Sequence, residues 1–245
     1  MKYSEISHFS HPHHTLKPQH TEAPFKCDGC REVGIGSSYK CGGAACDFDL
    51  HTHCAIPSPT VVHPFYTMCS FQFLSRPPGT EARYCNACEK RVTGFVYHCR
   101  TCGFDLHPCC AKLPMVLADG DTKLHLYSKV NAPFVIRCGR KGRSWSYRST
   151  CLKYNFHVAC VKEMLVDSWH GLYDGCSYTG SRKSDTRIPS LKATLETHSN
   201  HTKGKSGKAQ KCCEVAGLAL QFVVSAVLGD PTSLIAGVVG TLMSK

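Results

Sequence analysis

Apolar side chains are distributed along this chain in two different ways. As far as residue 176 they come as short clusters in which Tyr39, Phe48 and Leu50, and again Tyr97, Phe104 and Leu106, alternate as in a half-buried strand. Each cluster runs into a His-x2-Cys step, whose two side chains share one face of a helical turn, so short β-hairpins followed by a short helix are expected. Residues 177–211 are rich in Ser, Thr, Lys and Arg with no apolar period, which predicts a solvated, disordered basic linker. Beyond it, Val215–Leu228 is almost wholly apolar and Leu234–Met243 nearly so. Gly229-Asp230-Pro231 between them reads as a helix stop, an N-cap and a proline at the first helical position, so residues 212–245 are expected to form an apolar helical hairpin. Its first helix would reach only ~21 Å, against a hydrocarbon core of ~30 Å, and is not expected to cross a bilayer.

The clusters are copies of one another. Tyr39-Lys-Cys41-x4-Cys46-Asp-Phe-Asp-Leu-His51-x2-Cys54-Ala55 returns as Tyr97-His-Cys99-x2-Cys102-Gly-Phe-Asp-Leu-His107-x2-Cys110-Ala111, and in weaker form as Tyr147 to Val161 with Cys151, His157 and Cys160. Cys27-x2-Cys30 and Cys85-x2-Cys88 precede the first two copies by the same interval. Three modules are therefore expected, at 8–63, 64–120 and 121–176.

Modules of about fifty residues bury too little apolar surface to stand unaided and need disulfides or metals. The chain has 18 cysteines and 15 histidines, and the histidines recur at fixed offsets from the cysteines, which a disulfide framework would not require. The first twenty residues carry five histidines and no apolar run, so a secretory signal is not expected, and the anticipated setting is a reducing one, cytoplasmic or nuclear, not secreted. Metal is the expected staple. Cys-x2-Cys forms a tight knuckle that presents two thiolates to one tetrahedral zinc.

The pattern His14-x12-Cys27-x2-Cys30-x10-Cys41-x4-Cys46-x4-His51-x2-Cys54-x8-His63 resembles the phorbol-ester/diacylglycerol-binding zinc domain of conserved region one in protein kinase C. It is closer still to the divergent cysteine/histidine-rich version abundant in plants, where Phe-Asp-Leu-His-x2-Cys-Ala is a hallmark. The resemblance implies small zinc-stabilised α+β modules in tandem, each of the cross-braced two-zinc type. By it, Cys27, Cys30, His51 and Cys54 hold one zinc, and His14, Cys41, Cys46 and His63 hold the second. In module two the sets are Cys85, Cys88, His107 and Cys110, then Cys69, Cys99 and Cys102 with Asp119 as the fourth ligand. His11 and His13 rival His14, which alone gives the twelve-residue interval to Cys27. His53, His98 and Cys109 stand at non-ligand offsets and are expected to face solvent.

Module three departs from the pattern. Cys138 lacks a knuckle partner, and Cys151 lies six residues before His157 instead of five. Cys138, His157 and Cys160 remain candidates for one zinc, with Cys151 as a fourth ligand and His125 in the place of a first ligand; a metal-free remnant packed on module two is the alternative. Four zinc ions are expected, or five if this module keeps one. Metal binding lowers the formal charge of +11 by about 3, leaving a moderately basic chain of roughly +8.

Closed Cys/His tetrahedra leave no position for substrate, so a non-enzymatic zinc-binding adaptor with protein partners is expected, in intracellular signalling or stress response as the plant resemblance implies. Thiol–disulfide exchange is the enzymatic alternative, but every Cys-x2-Cys pair falls within a metal pattern and no βαβ context surrounds it. Diacylglycerol binding is not expected, because Arg31–Lys40 and Glu89–His98 hold neither the proline nor the Gln-Gly pair of the kinase groove. Sequence-specific nucleic-acid binding lacks a basic reading helix. The tail, with Lys203, Lys205, Lys208 and Lys211 ahead of Cys212-Cys213, is read as contacting an anionic membrane surface or a partner in preference to its own modules.

Overall fold

The structure is a computed structural model that describes residues 5–119, 122–128, 144–150, 155–163, 223–224 and 226–228. The linker at 177–211, Cys138, Cys151 and most of the C-terminal hairpin lie outside the described residues. No disulfide is formed among the described cysteines.

Each repeat is a four-stranded antiparallel sheet closed by a short helix. Module one uses β1 (Ile6–His8), β2 (His11–Lys26), β3 (Val33–Cys41) and β4 (Asp49–His51), followed by α1 (Thr52–Ala55). Module two uses β5 (Thr60–Val61), β6 (Phe71–Leu74), β9 (Val96–His98) and β10 (Asp105–Leu106), with a separate ribbon of β7 (Arg83–Tyr84) and β8 (Arg91–Val92), then α2 (Pro108–Ala111). Module three uses β11 (Val116–Asp119), β12 (Thr122–Tyr127), β13 (Ser146–Ser149) and β14 (Asn155–His157), leading into a helical turn at 158–163.

The register repeats with the sequence. Tyr39 pairs with Leu50, Tyr97 with Leu106 and Tyr147 with Phe156, so a buried ring always faces the apolar residue just before the His-x2-Cys step. On the neighbouring strand Leu16, Phe71 and Leu124 occupy one position, two residues before the partner of that tyrosine, and all three are fully buried. Alternation along strands as short as these puts one ring and one aliphatic group inward, which is nearly the whole core a module of this size owns.

The module boundaries fall earlier than the sequence suggested. Residues 60–61 already belong to the sheet of module two, and Val116–Asp119 to that of module three. After each closing helix the chain therefore leaves to begin the next sheet.

Consecutive modules dock through a repeated contact. The Phe95 N–H donates to the Gly29 carbonyl at 2.9 Å, and the Trp145 N–H donates to the Ala87 carbonyl at 2.7 Å. Gly29 and Ala87 are the third residues of the two Cys-x2-Cys knuckles, and Phe95 and Trp145 each stand two residues before the core tyrosine of the next module. The Phe95 ring lies 6.0 Å from that of His8, and the Trp145 ring 4.4 Å from that of His63. Ring geometry of this kind adds to the area that the aromatic buries.

The described part of the tail is intramolecular. Val223, Val224, Ala226, Val227 and Leu228 are helical and buried in the same apolar cluster as Leu117, Leu124, Trp145 and Tyr147. For these residues the expected membrane or partner contact is replaced by packing on the repeats, because apolar surface left uncovered by the eroded third module lies within reach. Among the described residues no helix is long and apolar enough to cross a membrane.

The docking contact makes a testable demand on Gly94. A Cβ there would sit 2.0 Å from the Gly29 carbonyl oxygen, a backbone atom that cannot turn aside. Gly94→Ala should cost about 1–3 kcal/mol, the usual range for overpacking, and should loosen module one from module two. Chemical denaturation and proteolysis across residues 56–60 would read both effects, and wild-type behaviour in both would contradict the contact.

Candidate metal centres

Three knuckles share one backbone solution. Arg31, Glu89 and Gly103, each following the second cysteine of a Cys-x2-Cys pair, have φ of 66°, 60° and 68°. Their N–H groups donate to the carbonyls of Cys27, Cys85 and Cys99 at 2.9, 2.8 and 2.8 Å. Left-handed backbone costs a non-glycine residue roughly 1–2 kcal/mol. Two thiols turned toward one point at Arg31 and Glu89 explain why that conformation is held.

Four donor groups result, each with its ligand atoms within 4.8 Å of one another. Cys27, Cys30, His51 and Cys54 form the first, entirely buried; Cys85, Cys88, His107 and Cys110 repeat it in module two. The Cys30 Sγ lies 3.4 Å from the His51 Nδ1, and Cys88 Sγ 3.4 Å from the His107 Nδ1. Around a tetrahedral zinc with Zn–S near ~2.3 Å and Zn–N near ~2.0 Å, neighbouring donors stand about 3.5–3.8 Å apart. The residues fit zinc in number, type and spacing.

The second centre of module one is assembled differently from expectation. It contains His11, His14, Cys41 and Cys46, with His11 Nε2 at 3.3 Å from Cys41 Sγ, 3.5 Å from Cys46 Sγ and 3.2 Å from His14 Nδ1. His11 replaces His63. The β1–β2 hairpin sets His11 and His14 beside the end of β3, where Leu16 pairs with Cys41, and the His11 ring stacks on Phe48 at 4.3 Å. His63 has left with the chain for module two. Its Nδ1 accepts the Phe65 N–H at 3.2 Å, its ring packs against Trp145, and burial lowers its pKa to about 4, so it is a neutral packing histidine.

Each of these two modules is cross-braced: the first and third ligand groups along the chain share one centre, the second and fourth the other.

In module two the other centre brings together Cys69, Cys99 and Cys102, with Cys69 and Cys102 sulfurs 3.0 Å apart. Continuing the β6–β9 register places Cys69 where His14 stands and Tyr66 where His11 stands. Tyr66 keeps a ring contact, tilted against Phe104 at 5.0 Å, but offers no ligand of the usual kind. Asp119, the expected fourth ligand, sits at the hairpin end of β11 in the sheet of module three, opposite Thr122. Among the described residues this centre has three donors.

In module three the same register puts Thr122 at the His14 position and Ser149 at the Cys41 position, so two hydroxyl residues stand where the second centre would be. The other half-site survives: Cys160 Sγ lies 3.9 Å from His157 Nδ1, matching the 3.9 Å between Cys54 and His51. Cys138 and Cys151 lie outside the described residues. His125 lies on β12 opposite Val116 and Arg148, outside any donor group among the described residues.

The residues expected to face solvent do not. Cys109 and His98 are buried, and His98 Nδ1 meets Asp105 Oδ1 at 2.9 Å, an oxygen pair completed by Arg83 Nε on Oδ2 at 2.6 Å. The His53 ring stacks on that of His51 at 4.8 Å, and burial lowers its pKa to about 3. Spacing alone could not place them, because their surroundings come from neighbouring modules and strands.

Residues 9–55 and 62–111 each match the family model of the C1 domain. These two segments are C1-like cysteine/histidine-rich domains. The first match ends before His63 and the second includes it, in line with the sheet boundaries. No curated protein and no solved structure gives a significant match to the chain.

Two substitutions separate the ligand from its rival. His11→Ala should remove about one bound metal per chain, whereas His63→Ala should leave metal content unchanged and lower stability through lost packing. Elemental analysis with native mass spectrometry reads the first effect, thermal unfolding the second, and the reverse result would restore His63 as the ligand. In the metal-free chain burial raises the Cys30 and Cys54 thiols, which are therefore protonated at neutral pH. Binding must displace those protons, so affinity should rise with pH and metal should be lost as pH falls. Proton release on zinc addition in weak buffer measures this.

Proposed function

We propose that the chain is a zinc-binding, non-enzymatic interaction scaffold that works inside the cell in signalling or a stress response. The observation that carries this reading is the convergence of the Cys-x2-Cys thiols of both C1-like domains on donor groups, so that no such pair is left over as a free dithiol among the described residues. Thiolates of the three four-donor groups, closed tetrahedra when loaded, hold structure and do not exchange with disulfides, whereas the Cys69, Cys99 and Cys102 group has three donors among the described residues.

The lipid reading is weakened at the groove itself. The segments that flank the ligand in kinase-type domains correspond here to Arg31–Lys40 and Glu89–His98. Glu32 in the first is bonded to Lys162 of module three, and Phe95 in the second is docked on Gly29. Module packing occupies what would otherwise be a lipid-facing rim. The tail residues that would favour a membrane are buried where they are described.

Full-length protein purified without chelator should carry four zinc ions, or five, by elemental analysis. Two or fewer would remove the cross-braced scaffold. The loaded protein should show no turnover in an insulin-reduction assay and no retention on diacylglycerol vesicles. Partners captured by cross-linking in cells should be lost with Cys30→Ala, which dismantles module one; turnover that survives in zinc-loaded protein would return the oxidoreductase.

A further inference from the structure

The three modules meet at one carboxylate. Glu32, the residue two beyond the knuckle of module one, places Oε1 at 3.2 Å from the Nε2 of His107 and Oε2 at 2.5 Å from the Nζ of Lys162. His107 belongs to module two and Lys162 to module three, and their side chains are 1% and 7% exposed. The Lys162 ammonium also lies 3.3 Å from the Cys109 sulfur, beside the ligand Cys110.

The chemistry of this contact follows from which nitrogen faces the metal. His107 directs Nδ1 at Cys88 and its donor group, so the ring proton resides on Nε2 and must be donated outward. It has two acceptors, the Glu32 carboxylate and the Arg91 carbonyl at 3.3 Å. A carboxylate on the far nitrogen of a metal-bound histidine fixes the tautomer and ring orientation and strengthens the ligand. His51, the equivalent ligand of module one, has no carboxylate on its buried Nε2. The two Cys3His centres therefore have identical donors and different outer surroundings.

A carboxylate this deep needs a counter-charge, since an unpaired ion away from water is costly. Lys162 supplies it from the helical turn after His157 and Cys160, and is itself paired on both sides. The contact is thus a relay of three charged or polar groups, one contributed by each module.

We infer that Glu32 is the outer-sphere carboxylate of the Cys85/Cys88/His107/Cys110 centre, supplied across the module boundary and clamped by Lys162, so that metal retention in module two depends on docking of both neighbours. Glu32 is a positioning residue: it acts on the metal through His107. The inference rests on zinc occupancy of that centre. A chain without metal would fail the elemental analysis given above before reaching the following test.

The test uses the zinc-loaded full chain. Release to the chelator 4-(2-pyridylazo)resorcinol is followed for wild type, Glu32→Gln and, as a control on an exposed carboxylate of module two, Glu81→Gln. Loss of an outer-shell partner typically weakens metal binding 10–100-fold, so Glu32→Gln should speed release of one zinc by about tenfold or more and leave the others unchanged. Glu81→Gln should match wild type. Unchanged release in Glu32→Gln, or equal acceleration of every zinc, would overturn the assignment. A second measurement needs no variant: in the wild-type chain the His107 Nε2 proton should resonate further downfield and exchange more slowly than that of His51. Equivalent shifts and exchange rates for the two rings would overturn it independently of how the variant folds.

Discussion

The constraint on which this structure depends is that ligand pairs distant in sequence must meet at a point. In module one the chain passes the two centres alternately: His11 and His14, then Cys27 and Cys30, then Cys41 and Cys46, then His51 and Cys54. Each metal would thus close a long loop, and the two loops interlock. Structural zinc in small modules contributes roughly 10–16 kcal/mol, more than a core of a few rings can supply. The strands between ligands can then be very short, down to two residues in β5, β7, β8 and β10. Such strands have no independent stability; they are held in register at their ends.

The same knuckles do a second task. Once Cys27 and Cys30, or Cys85 and Cys88, are turned inward, the carbonyl of the third knuckle residue points away from the metal and becomes an acceptor for the next module. Gly29 receives the Phe95 N–H and Ala87 the Trp145 N–H. Metal binding and module docking therefore share four residues per joint. The joint in the first case admits no side chain at either glycine, since a Cβ at Gly29 would also meet the Phe95 ring at 2.5 Å. Glu32 extends this linkage beyond the backbone, because the residue that leaves one knuckle supports a ligand in the next module.

What could be read from the sequence was what depends on local spacing. The Cys-x2-Cys and His-x2-Cys pairs, the repeat itself and the alternating Tyr, Phe and Leu positions were legible, because each constrains neighbours a few residues apart. The error at His63 has one source. The spacing treated the closing ligand as lying after the helix of its own module, whereas the chain there has already entered the next sheet. His11 was visible only as a rival to His14, because its selection depends on the β1–β2 hairpin and on stacking with Phe48. Cys109 and His98 looked exposed for a similar reason: their cover comes from Lys162 in module three and from Asp105 across the β9–β10 pair. None of those contacts has a short-range signature.

Among its described residues module three differs from the other two at the second set of ligand positions. Thr122 and Ser149 stand at former ligand positions, and neither can hold zinc as a cysteine or histidine would. Its Leu117, Leu124, Leu126, Trp145, Tyr147, Phe156, Val158 and Val161 share one apolar cluster with module two and with Val223, Val224, Ala226, Val227 and Leu228 of the tail. Trp145, Tyr147 and Leu124 are fully buried in it. In module one, whose donors are complete, Cys27, Cys30, Cys41 and Cys54 form part of the apolar cluster. The tail and the third module fit together for this reason. Short strands cover little apolar surface on their own, and the described helical residues of the tail remove part of that surface from water. The apolar C-terminal segment, read from sequence as a surface for something external, is in its described part buried against the modules of its own chain.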